Sequence, residues 1–276
     1  MTTLDEKIAR LTQLLREARQ VAVAYSGGVD SSCLVRMAGE VLGPHAVLAV
    51  IGASESLTQS SLEQAVAAVR AWGVTVRVVE TDELQLADFV RNGPDRCYFC
   101  KRALCAALRR EGEAFFGGHP VLADGNQADD AGDYRPGRRA AREAGVRSFL
   151  AEAGLTKAEV RALSERLGVA GAQRPAEACL ASRVPYGTAI TAALLAQIGA
   201  AERVVQEAGF IGCRVRHHGT VARIEVAPAD LARVVAQGAT LAARIRATGY
   251  TYVALDLEGY RTGSLNAGLT ATGSSS

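Results

Sequence analysis

The chain has 276 residues, 49% of them hydrophobic and 22% charged, with a formal net charge of +2. That length suits roughly two domains with a sizeable core, and the composition excludes a disordered chain. The near-neutral charge argues against a strongly basic nucleic-acid binder, and no apolar run approaches the ~18–20 residues that a membrane span needs. The polar opening Met1-Thr2-Thr3-Leu4-Asp5-Glu6-Lys7 does not read as a secretory signal. The six cysteines, Cys33, Cys97, Cys100, Cys105, Cys179 and Cys213, therefore read as reduced thiols in a cytoplasmic protein. Of the 31 basic residues 28 are arginine, which a compositional bias explains.

In chain order, Ile8, Leu11, Leu14, Leu15 and Ala18 have helical spacing. Residues 21–25 form a buried strand that meets a tight turn at Ser26-Gly27-Gly28. A helix is expected over 31–42, a strand over 46–51, a helix from about residue 58 to 72, and strands over 74–79 and 121–125. Such alternation predicts an α/β fold, a parallel sheet with helices on both faces. Ligands bind at the carboxyl ends of such strands, which here carry Ser26-Gly27-Gly28, Gly52-Ala53-Ser54 and Asp124-Gly125-Asn126. A helix over 156–167 opens with a capping box, Thr156 and Glu159, and residues 171–187 are irregular. Beyond residue 188 the pattern changes to a helix over 191–208, strands over 214–218 and 221–226, helical sequence over 228–247 and a strand over 252–257. This predicts one domain over 1–188, a small α+β domain over 189–270, and a disordered tail over 271–276.

Three segments carry chemistry. Ser26-Gly27-Gly28-Val29-Asp30-Ser31-Ser32 joins a strand to a helix start, where backbone amides and the hydroxyls of Ser31 and Ser32 suit phosphate oxygens. It has no lysine, so it is not a Walker A loop, and it lacks the third glycine of a dinucleotide fingerprint. Cys97 and Cys100 form a C-x-x-C pair at a helix start, suited to a metal or cluster, with Cys179 the best further ligand. Two unligated thiols are the alternative; Cys105 reads as packing, as do Cys33 and Cys213 in apolar patterns. The loop 124–137 carries four carboxylates, Asp124, Asp129, Asp130 and Asp133, which read equally as Mg²⁺ ligands for ATP or as a solvated acidic turn. Cys179, beside Ser182 and Arg183 in a polar loop, sits where a thiolate is favoured over a thiol.

The Ser26–Ser32 pattern resembles the pyrophosphate loop of the PP-loop ATPases, which adenylate a carbonyl or carboxyl oxygen and release pyrophosphate. By that resemblance Ser26, Gly27, Gly28, Asp30, Ser31 and Ser32 hold ATP phosphates, Gly52 and Ser54 touch the adenosine, and Gly125 lies near the ribose and phosphate. Joined to Asp124-Gly125-Asn126-x-x-Asp129-Asp130-x-x-Asp133-Tyr134-Arg135-Pro136-Gly137, Ala178-Cys179-Leu180-Ala181-Ser182-Arg183, Val215-Arg216-His217-His218 and Leu255 to Arg261, it resembles the LarE family over nearly the whole chain.

That family consists of ATP-dependent sulfur transferases for the nickel-pincer nucleotide of lactate racemase. The resemblance implies pyridinium-3,5-biscarboxylic acid mononucleotide as substrate, ATP and Mg²⁺ as cofactors, no membrane, and a homohexamer. Cys179 matches the sulfur-bearing cysteine, which some members sacrifice to dehydroalanine. The retained Cys97 and Cys100 match instead the members that hold a [4Fe-4S] cluster on three cysteines, with one iron free for sulfide or another sulfur donor.

A substrate with two carboxylates and a phosphate calls for a cationic site. Arg214 and Arg216, read as exposed arginines on one face of a short strand, join Ser182, Arg183 and Arg261 as its candidates, with Glu202 and Glu225 as candidate ligands of a nearby metal. A solvated basic strand is the bland alternative. A PP-loop tRNA thiolase with the same three cysteines is the alternative enzyme, disfavoured by the charge of +2, and a nucleotide-binding regulatory domain the non-enzyme one, which leaves Cys179 without a purpose.

Overall fold

The computed structural model describes residues 2–53, 59–81, 83–132, 136–170 and 179–261. Ser54, Asp133 and the expected tail 271–276 lie outside the described residues. The chain divides into two compact units, Met1–Phe89 with Pro94–Ala176, and Val90–Gly93 with Glu177–Ser276. The division falls before the boundary expected near residue 188. Segment 90–93 groups with the second unit because the Asn92 side-chain amide donates to the carbonyls of Pro185 and Thr188 at 2.8 and 2.9 Å, and the Ile190 N–H donates to the Val90 carbonyl.

In the first unit, helix α1 (Leu4–Ala18) starts at a capping box of Thr3 and Glu6 and buries Leu11, Leu14 and Leu15. Then come β1 (Val21–Ala24), α2 (Val29–Leu42), β2 (Val47–Ala53), α3 (Gln59–Ala71), β3 (Thr75–Glu80), the short α4 (Ala87–Val90) and the long α5 (Arg96–Phe116). Strand β4 (Val121–Ala123) precedes α6 (Pro136–Glu143), α7 (Phe149–Glu152) and α8 (Lys157–Arg166). The strands form an all-parallel sheet in the order β3-β2-β1-β4.

Alternate residues of each central strand enter opposite cores. Val21, Val23, Val47 and Ala49 pack with Leu11, Leu34, Phe149 and Leu163, while Ala22, Ala24, Leu48 and Val50 pack with Leu108 and Leu122. Burial on both faces is why these strands read as unbroken apolar runs. The order reverses at β1, flanked by β2 and β4, so the ends of these three strands open one crevice beside the Ser26–Ser32 loop.

The second unit contains α9 (Ala192–Glu207), the antiparallel hairpin of β5 (Arg214–His218) and β6 (Val221–Glu225), α10 (Leu231–Ala236), α11 (Gly238–Arg246) and β7 (Tyr252–Leu255), which runs parallel to β6. Val205, Phe210, Val215, Ile224, Leu241 and Ile245 make its core. The helical sequence expected over 228–247 is interrupted: a 3-10 turn at Pro228–Asp230 leads into α10, and α10 ends at Gln237, directly before Gly238. The last strand stops at Leu255, not 257, because the Asp256 carboxylate accepts the Glu258 N–H at 2.9 Å and turns the chain. Among the described residues no helix is long and apolar enough to cross a membrane.

Candidate active site

The phosphate loop is built by β1 and α2. Gly27 has φ +76°, and a Cβ there would lie 3.0 Å from the Ala65 Cβ, so the turn both needs positive φ and has no room for a side chain. Gly28 caps α2 without a side-chain bond, so the cap itself offers no acceptor to the helix amides. The hydroxyls knit the loop. Ser31 Oγ accepts the Ser26 N–H at 3.3 Å, lies 3.2 Å from Ser26 Oγ, and donates to the Gly28 carbonyl at 3.1 Å. Ser32 Oγ is 3.1 Å from the Tyr25 hydroxyl in the interior, and burial pushes that phenol's pKa up. Ser32 is thus tied inward, while the Ser31 hydroxyl is bonded within the turn of the loop itself.

The end of β4 closes against this loop. A Cβ on Gly125 would stand 2.6 Å from the Ser31 nitrogen and 2.9 Å from its Cα, so only glycine admits the approach. Asp124, buried, accepts from Asn126 Nδ2 and from Ser148 Oγ, both at 2.7 Å, with the Lys101 ammonium 3.8 Å away. Asp129 Oδ2 accepts the Lys157 N–H at 2.8 Å, and the buried Asp130 accepts the Gln127 N–H at 3.1 Å. Asp130 is thus buried, while Asp129 is exposed and accepts a backbone amide of its own unit; Asp133 is outside the described residues.

Lys157 is a site residue that sequence reading missed. Its Nζ contacts both oxygens of Asp30, at 2.7 and 2.6 Å. The only local signal is its place at the first position of α8, where a cation opposes the helix dipole.

Cys97 and Cys100 lie in the first turns of α5, three residues apart and so on one face. Cys97 is exposed and Cys100 half-buried. The Cys100 thiol donates to Glu83 Oε1 at 2.9 Å, a buried carboxylate that the sequence reading did not single out. Two soft donors on one helix face fit part of the ligand set of an iron–sulfur cluster. Cys179 is exposed, at the start of a 3-10 turn (Leu180–Arg183). Cys33, Cys105 and Cys213 are buried, as their apolar settings imply.

In the second unit Arg214 and Arg216 are corrected from exposed to buried, each 5% exposed, and Arg183 is 2% exposed. Arg183 makes a bidentate pair with Glu202, Nε–Oε1 2.8 Å and Nη2–Oε2 2.9 Å, and also donates to the Cys179 carbonyl and to Ser182 Oγ. Arg216 pairs with Glu225 at 2.8 Å and donates to the Ser182 carbonyl at 2.8 Å. Arg214 donates to the Cys213 carbonyl and lies 5.1 Å from the Tyr260 ring centre. Period two holds: Val215, Ala222 and Ile224 enter the core, while Arg214, Arg216, Arg223 and Glu225 share the other face. Glu202 and Glu225, expected as metal ligands, instead face guanidinium groups, and Glu202 also accepts the Val215 N–H. Among the described residues no three His, Cys, Asp or Glu side chains cluster as a metal site. Arg261 is exposed at the end of the described chain and pairs with Glu258.

Residues 4–117, the stretch that contains the phosphate loop, match the family model described as NAD synthase, a PP-loop family. The chain is 37% identical over 270 residues to the pyridinium-3,5-bisthiocarboxylic acid mononucleotide synthase of Lactiplantibacillus plantarum, covering 98% of this chain and 97% of that one. It is 40% identical to an uncharacterized protein of Synechocystis, over 97% of this chain and 99% of that one. A third relative, an uncharacterized protein of Methanocaldococcus jannaschii, is 26% identical over 93% of this chain and 98% of its own. A phosphate loop with no Walker lysine, on a parallel sheet, and a near full-length match together lead to one conclusion: the chain belongs to the PP-loop family of pyridinium-3,5-bisthiocarboxylic acid mononucleotide synthases, the LarE family.

Proposed function

We propose that the protein is an ATP-dependent sulfur transferase that converts the carboxylates of pyridinium-3,5-biscarboxylic acid mononucleotide into thiocarboxylates, for the nickel-pincer nucleotide. The observation that carries this reading is the 37% identity to the synthase of that name across 98% of the chain. A carboxylate is a poor electrophile because its charge is delocalised over the group. Its oxygen attacks the α-phosphorus of ATP, the bond to pyrophosphate breaks, and the acyl adenylate has lost that charge. A sulfur nucleophile then adds at the acyl carbon and AMP leaves.

In this reading Ser26, Gly27, Gly28 and Ser31 hold the phosphates, Asp30 contributes its backbone at the helix start, Ser32 supports the turn from the interior, and Ser54 and Gly125 flank the nucleotide. Arg214, Arg216 and Arg261, with Ser182 and Arg183, receive the substrate's anionic groups. Glu202 and Glu225 keep the guanidinium planes oriented. Mg²⁺ accompanies ATP.

Cys97, Cys100 and Cys179 are read as the thiolates that hold a [4Fe-4S] cluster. Bound there, the cluster would supply an open iron for external sulfide. The support for this is the presence of the Cys97–Cys100 pair on one helix face together with an exposed Cys179. This reading has the protein act in the cytoplasm as a homohexamer, supported by its resemblance to the family.

The test is turnover of ATP with the pyridinium mononucleotide, and in parallel with tRNA. AMP, pyrophosphate and an oxygen-for-sulfur mass change in the mononucleotide are the expected products. ADP and phosphate, or thiolation of tRNA alone, would overturn the proposal.

A further inference from the structure

The phosphate loop has no lysine of its own, yet a lysine ammonium is seated on it. Lys157 is one of three lysines in a chain with 28 arginines. It occupies the first position of α8, where the helix dipole disfavours a cation. The helix start does not need it. Thr156 and Glu159 form the capping box, and Glu159 is anchored separately by Lys7 at 2.7 Å. Lys157 instead reaches 127 residues back in sequence to both oxygens of Asp30, while its own N–H is held by Asp129 at 2.8 Å. Asp30 is the second residue of α2, at the end whose amides face a bound anion. A bare carboxylate there repels an incoming polyphosphate.

We propose that Lys157 is a positioning residue for ATP: it neutralises Asp30 and fixes its carboxylate, so that the loop presents a net attractive field to the triphosphate. This inference rests on reading Ser26–Ser32 as the ATP loop. The side chains of Lys157 and Asp30 are 32% and 25% exposed, so the pair lies where phosphates have access. A lysine fits this task as a compact point charge, where an arginine fork would compete for the phosphates themselves.

The test uses the full-length protein and calorimetric titration with Mg²⁺ and α,β-methylene-ATP, which cannot be cleaved at the α–β bridge. Binding to the unmodified protein checks the loop; its absence would overturn the loop reading rather than the role of Lys157. Lys157→Met is expected to weaken binding about tenfold, and Lys157→Arg to stay within about threefold. In a D30N background the Lys157→Met change is expected to cost less than about twofold, because the charge it offsets is gone. In turnover, Lys157→Met raises KM for ATP and leaves kcat within about twofold. Unchanged affinity in Lys157→Met, an equal loss in both backgrounds, or a fall in kcat with KM unmoved would each overturn the proposal while the loop reading stands. Melting curves of the same variants separate a purely structural effect, which would lower stability and leave affinity alone.

Discussion

At the scale of single residues, burial decides which cysteines can react. Desolvation pushes the Cys33 thiol up to about 11 and the Cys213 thiol up to about 12, and raises that of Cys105. Cys97 and Cys179 are exposed. In folded protein stripped of iron, iodoacetamide at mildly alkaline pH should therefore label Cys97 and Cys179, and Cys33, Cys105 and Cys213 only after denaturation. Peptide mass spectrometry reads the outcome, and native labelling of Cys213 would contradict the described packing. At the loop, Ser31→Ala removes the hydroxyl that accepts the Ser26 N–H and donates to the Gly28 carbonyl. In the proposed nucleotide complex that proton turns from the Gly28 carbonyl to a phosphate oxygen, so its loss should raise the barrier to AMP formation by ~1.5–3 kcal/mol, read as a fall in kcat/KM by steady-state kinetics. Gly125 was legible as a strand-end glycine, but its reason was not. The contact of 2.6 Å from a Cβ to the Ser31 nitrogen exists only once β4 lies beside β1.

At the scale of elements, what was legible followed periodicity and caps. The 3.6-residue spacing of α1, the apolar runs of β1 and β2, and the Thr156–Glu159 box of α8 are local in sequence, and the structure has all of them. The burial of the β5 arginines was not legible, because a period-two basic strand looks the same whether water or a carboxylate neutralises it. The carboxylate that pairs with Arg216, Glu225, comes from across the hairpin, and Arg183, outside the strand, meets Glu202 from α9. Lys157 was hidden for the same reason, 127 residues from Asp30. Burial also changes what mutation does. Glu202→Ala would leave the Arg183 guanidinium charged at 3% side-chain exposure, which should cost ~3–5 kcal/mol in urea unfolding. The double change Arg183→Met with Glu202→Leu should recover part of that loss, since an apolar pair of similar volume avoids the buried charge, while the Val215 N–H still loses its Glu202 acceptor. Acid should act on the second unit too. Burial lowers the pKa values of His217 and His218, so below the unfolded value of about 6.5 the unfolded chain binds more protons than the folded one. Their contribution to stability is complete above that pH and is lost as pH falls from there through the depressed folded values. Urea midpoints measured as the pH is lowered from 7 should fall, and less steeply in His217→Asn/His218→Asn.

At the scale of the whole molecule, the question is how many sulfur atoms one chain delivers. An exposed Cys179 serves two different chemistries. As a thiolate ligand it keeps its sulfur, and the protein turns over for as long as sulfide is supplied. As the donor itself it transfers Sγ once, the Cβ–Sγ bond breaks by elimination of the α-proton, and dehydroalanine remains. The proposed function takes the first route, because sacrifice of Cys179 has no use for the two further thiols of Cys97 and Cys100 on one helix face. Anaerobically prepared protein should therefore contain iron and acid-labile sulfide, and should form more than one thiocarboxylate per chain when sulfide is present. Cys97→Ala should lose the iron, the brown absorbance and multiple turnover together, with the fold retained because the exposed Cys97 side chain packs into no core. If instead this variant delivers one sulfur per chain, and Cys179 loses the mass of hydrogen sulfide in its peptide, the sacrificial route operates. Cys179→Ala is expected to be inactive by either route while still binding ATP, so an active Cys179→Ala enzyme would remove Cys179 from the chemistry altogether.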